Sequence, residues 1–136
     1  MSSQTIASPP GPLIYSSRLV TALHVVKPYV FTKSTVTQLT SVTTAVTLNS
    51  ASGTVRTFAS SLAADTAQGA FTVNNSYIAA DSVVVVQING LVSGTAALPT
   101  LYVTAVAEGS FTVVVMNNDA DGAFADAIFD ISFLVL

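Results

Sequence analysis

The chain has no cysteine and no tryptophan, and its single histidine is His24. Without cysteine there is no disulfide, no thiolate nucleophile and no thiolate zinc site, and the compartment is left open. One imidazole in an apolar stretch gives a serine or cysteine nucleophile no base elsewhere in the chain. Charge is scarce as well. Asp, Glu, Lys and Arg make up 8% of residues, against about 25% in an average soluble protein. Hydrophobic residues reach 51%, yet no run of about 18 of them exists to form a membrane-spanning helix. The most apolar short runs, VVVV at 83–86 and ISFLVL at 131–136, are strand-sized. The opening MSSQTIASPPGP lacks the basic start and apolar block of a secretory signal, so export by that route is not expected.

The few charges are sorted along the chain. Arg18, Lys27, Lys33 and Arg56 all precede the first acid, Asp65. The first 56 residues carry +4 and the remaining 80 carry −7, giving the net −3. A nucleic-acid binder needs a basic stripe to neutralise phosphates, and no Lys or Arg follows position 56. That function is excluded. The polarity suits a leading segment that docks on an acidic surface while the body faces elsewhere. So little charge also predicts that part of the surface is buried in an oligomer or a larger assembly.

At 136 residues the chain is one domain with an appendage. Pro9, Pro10 and Pro12 keep residues 1–12 extended. Residues 13–33 are apolar with scattered basic groups and too short for a core of their own, so 1–33 reads as an N-terminal arm. Fully extended it reaches roughly 110 Å.

Residues 34–136 read as the β-domain. Twenty Val and seventeen Thr favour a pleated sheet. The predicted order is one or two strands over 34–49, a turn at 50–53 and a strand at 54–58. A loop or single helical turn at 62–69 precedes strands at 70–75 and 82–89. A long loop over 90–99 leads into a hairpin over 100–118, joined through Ala107-Glu108-Gly109-Ser110, and a last strand from Ala125. About eight strands at roughly ten-residue intervals predict an all-β fold, an antiparallel sandwich of jelly-roll type. The near-copies GAFTVNN (69–75) and GSFTVVVMNN (109–118) are too short and too few to mark a repeat.

NNDADGAFADA at 117–127 imitates the start of a calcium loop, with oxygen-bearing Asn117, Asp119 and Asp121 at alternate positions and then Gly122. Where an EF-hand needs a bidentate Glu stands Ile128. The favoured reading is a tight turn, with Gly122 supplying positive φ; Asn117, Asp119 and Asp121 stay the metal candidates, in a looser calcium site that Asp126 and backbone carbonyls would complete. Paired carboxylates drawn from Asp119, Asp121, Asp126 and Asp130 are the one formal route to catalysis. They read more simply as a solvated tip. No enzyme activity and no cofactor are expected.

TQLTSVTTAVTLNSASGTV (37–55), NNSYIAADSVVVVQI (74–88) and YVTAVAEGSFTVVVMNN…ADAIFDISFLVL (102–136) resemble a β-domain found in small virion proteins of tailed bacteriophages. The resemblance covers roughly the last hundred residues and leaves out the arm. It departs from the pattern at NDADG, where a small Gly/Ser turn is usual. It implies a capsid decoration (cement) protein on the outside of the phage head, made in the host cytoplasm, trimeric and bound to the major capsid protein. On that reading Arg18, Lys27, Pro28 and Lys33 form the capsid-contact arm, with neither nucleic acid nor membrane as a partner. The alternative it implies is a receptor- or glycan-binding tip of a head or tail fibre, with 90–99 and NDADG as working loops.

Overall fold

Alternation writes the strands. In SFTVVVMN, Phe111, Val113, Val115 and Asn117 are buried while Ser110, Thr112, Val114 and Met116 are half-exposed. In ADAIFDISFLV the buried set is Ala127, Phe129, Ile131 and Phe133. A period of two puts each set on one side of a pleated strand. The structure, a computed structural model, describes residues 33–136. Arg18, Lys27 and Pro28, with the rest of the arm before Lys33, lie outside the described residues.

Nine strands and no helix occur among the described residues: β1 (Ser34–Thr37), β2 (Val46–Thr47), β3 (Ser52–Arg56), β4 (Thr66–Ala67), β5 (Phe71–Asn74), β6 (Val84–Thr95), β7 (Pro99–Ala107), β8 (Ser110–Asn117) and β9 (Ala125–Val135). One sheet runs β1-β3-β9-β6. In the other, β8 is central: β7 lies on one flank, and β5 and β4 pair with successive parts of it, β2 lying beyond β5. The sheets pack as a sandwich over a core of Val55, Phe71, Val73, Phe111, Val113, Val115, Phe129, Ile131 and Phe133. Phe111 of one sheet meets Phe133 of the other at 5.4 Å between ring centres, tilted by 59°.

Three expectations are corrected. The sheets are mixed, because β1 pairs parallel with β3 and β2 parallel with β5. After Thr37 the chain leaves the first sheet, gives β2 to the second and returns, so β3 arrives running the same way as β1. The strand count is nine, since β2 and β4 are two residues each and leave no periodic trace. The predicted loop at 90–99 is mostly strand: β6 continues to Thr95 along β9 through three register shifts, and β7 begins at Pro99. Gly94 makes this possible. It sits at φ +79°, and a Cβ there would collide with the carbonyl oxygens of Ala125 and Asp126.

The hairpin read at 100–118 is present as β7 and β8, with Gly109 at φ +79° closing it. On the outer face of the first sheet, Arg56 Nε and Nη2 donate to Asp130 Oδ1 and Oδ2 at 2.8 and 2.7 Å. That bidentate pairing raises the Arg56 pKa and holds the Asp130 carboxyl below its ordinary value, against a smaller opposing effect of burial.

Two outcomes follow. Phe111→Ala opens the junction between the sheets and is expected to cost about 3–5 kcal/mol in denaturant unfolding. Asp130 has its pKa lowered on folding, so its contribution is complete at neutral pH and lost as pH falls through the folded value. The melting-temperature difference between wild type and Asp130→Asn should therefore be constant at neutral pH and shrink as pH falls below the ordinary carboxylate range.

Candidate functional site

Asn117 ends β8 and is fully buried. Its Nδ2 donates to the carbonyls of Gly122 (2.8 Å) and Ala63 (3.1 Å), and at 3.4 Å to that of Leu62. Its Oδ1 accepts from the Asp119 amide at 3.0 Å. Asp119 Oδ1 in turn accepts from the amides of Asp121 and Gly122, at 3.0 and 3.1 Å. The alternate oxygens read as a ligand row are thus divided, one turned into the core and one folded onto its own turn. Gly122 is not in the left-handed region. A Cβ there would lie 2.7 Å from Asp119 Oδ2, the tip of a side chain that can shift to admit it.

The other acids are spread apart. Asp126, at φ +48°, faces Ser61, whose hydroxyl donates to its carboxylate at 3.4 Å and accepts its amide at 3.2 Å. Asp130 is held by Arg56. Among the described residues no three His, Asp or Glu side chains gather as metal ligands. Lys33, the one described residue of the assigned arm, is exposed just before β1.

Two surface features went unnoticed in the sequence. One is an open cleft of about 350 Å3 lined by Ser41, Phe58, Ser60, Ser61, Leu62 and Gln68, among others. Buried Gln68 forms part of its wall and donates through Nε2 to the Val42 carbonyl at 3.4 Å. No titratable group lines the cleft. It offers a neutral ligand apolar contact and hydroxyl hydrogen bonds.

The second feature is larger. Ten large hydrophobic side chains stand exposed among the described residues; six of them, Val83, Val85, Leu91, Val92, Leu98 and Tyr102, lie on β6 and β7 or at their ends. A seventh, Leu136, exchanges both backbone hydrogen bonds with Val83. Beside β6 the outer sheet face carries an apolar groove of about 220 Å3 between Val85, Gln87, Ser132 and Leu134. From Ser82 to Ala107 the sequence holds no Asp, Glu, Lys or Arg. That gap was visible in the sequence, but reading 90–99 as a loop broke it in two.

The amide geometry sets an expected contrast. Asn117→Ala removes the amide that ties the two loops together, leaving the Gly122 carbonyl without its donor while the Leu62 and Ala63 carbonyls keep the Phe124 amide and the Thr66 hydroxyl, and should lower stability by about 1–3 kcal/mol. Asp119→Asn with Asp121→Asn keeps the acceptor oxygens and should stay within about 0.5 kcal/mol of wild type, with or without calcium. A loss above about 2 kcal/mol that calcium reverses would restore the metal reading.

No protein-family model, curated protein or solved structure matches the chain.

Proposed function

We propose that this protein is a virion structural protein, a decoration (cement) protein of a phage head. It binds the capsid exterior as a homotrimer and bridges neighbouring copies of the major capsid protein. The observation that carries the reading is the set of bulky apolar side chains exposed on a body with few charged residues. A surface of that kind is built to be covered. Burying 400 Å2 of it yields on the order of 10 kcal/mol before the costs of association. Repeated over a shell, such contacts hold capsomers together. Residues 1–33 are the anchoring arm, where Arg18, Lys27 and Lys33 steer the approach and Pro28 belongs to the contact. The body is the jelly-roll-like unit that the arm fastens down.

The fibre-tip alternative keeps one support. The uncharged cleft, with Phe58 and serine hydroxyls on its wall, fits a neutral sugar ring.

Removing residues 1–33 is expected to leave a body that still melts cooperatively but no longer co-sediments with capsids. Full capsid binding by the truncated chain would overturn the arm's role. Saturable binding to a glycan, with none to capsids, would transfer the protein to the fibre reading.

A further inference from the structure

A strand at the margin of a sheet leaves one row of backbone N–H and C=O groups without a ladder partner, and natural sequences guard such margins with charge, proline, bulges or short length. β6 is the outer strand of the first sheet and β7 of the second. They follow one another through Ala96–Leu98, so both margins open on the same side of the sandwich. They are long, at twelve and nine residues. The guards are few: Pro99 opens β7, one register shift interrupts it between Val103 and Ala105, and the register shifts in β6 begin only after Ile88, leaving Val84–Ile88 in unbroken step with β9. No charge stands between Asp81 and Glu108.

The size of this wall fits a stable interface. Twelve residues span about 40 Å and two sheets lie about 10 Å apart. That is a strip of about 400 Å2 between the strand axes, which the exposed side chains beside it widen toward the roughly 800 Å2 that one partner buries in a stable protein–protein contact.

Charge decides what covers it. The first 33 residues carry three basic groups and no acid, and the wall offers them no counter-charge. A second copy presents an equally uncharged surface. Two chains of net charge −3 meet with least repulsion where neither carries any. We propose that the β6–β7 side is the surface through which copies of this chain associate, margin strand against margin strand. The proposal deepens the decoration reading by naming its self-association surface, yet its test requires no capsid.

Light scattering on the full chain should give a multiple of 13.9 kDa. Val85 is 50% and Val92 43% exposed, so Val85→Lys with Val92→Glu should lower the mass to that of one chain while the thermal melt and circular dichroism stay unchanged. The absence of native cysteine provides a second, independent measurement. Val92→Cys should cross-link between chains through a short bis-maleimide. Leu39→Cys, 80% exposed beyond the opposite margin strand β1, should not.

A wild-type monomer at about 100 µM would overturn the proposal. So would an oligomer that survives both charges, or one lost only when residues 1–33 are removed, which would place the contact in the N-terminal segment. An oligomer joined through this wall that binds no capsid would leave the surface standing and remove only the capsid reading.

Discussion

A buried polar group must find its partners inside the protein, and here carboxamides meet that demand in place of ion pairs. Gln38, Asn75 and Asn117 are all buried, and each ties a loop to a strand end. Gln38 Nε2 donates to the carbonyls of Thr44 and Val42, while its Oε1 receives the Phe58 amide. Asn75 donates to the Ser50 carbonyl and accepts from the Tyr77 amide. Asn117 gathers three carbonyls from two loops. A carboxamide donates and accepts at once and carries no charge to desolvate, so it suits an interior with few ionic partners. The crossing from β1 to β2, on which the mixed topology depends, passes directly through the Gln38 clamp.

Hydroxyls solve the corresponding problem on the outside. By register, Thr35, Thr54, Ser132 and Gln87 form one row across the outer face of the first sheet, and Thr54 and Ser132 stand 3.4 Å apart. Thr72 and Thr112 repeat the arrangement on the second sheet, again at 3.4 Å. These faces are wetted without being charged, and the Arg56–Asp130 pair is the one ion pair among the described residues. The β6–β7 side has neither charges nor a comparable run of paired hydroxyls. Its difference from the rest of the surface is what the proposed self-association rests on.

Much of the fold was legible because it is local. The alternation in β8 and β9, the hairpin that closes at Gly109 and the excess of Val and Thr all write strands into short windows of sequence. The parallel pairs were hidden because pairing is decided between residues far apart, such as Thr35 with Thr54 and Val46 with Val73. Gly90 and Gly94 misled for a different reason: glycine marks a turn and a close backbone approach with the same letter, and at Gly94 the approach of the Ala125 and Asp126 carbonyls was the cause. The acidic loop misled through spacing. Alternate oxygens look convergent on paper, but a reversing backbone sends Asn117 into the core and Asp119 onto its own turn. The assigned arm, with Arg18, Lys27 and Pro28, lies outside the described residues, so for that segment only the sequence speaks.

The interleaving of the two sheets has a kinetic side. Because β1, β2 and β3 alternate between layers, neither layer can be finished by neighbouring segments alone, and distant pieces must meet early in the search. Chains organised in this way fold on the slow side, in milliseconds to seconds rather than microseconds. Throughout that interval a newly made chain displays unprotected Val-rich segments, so the rate of synthesis and the local abundance of nascent copies bear on whether it matures or clumps.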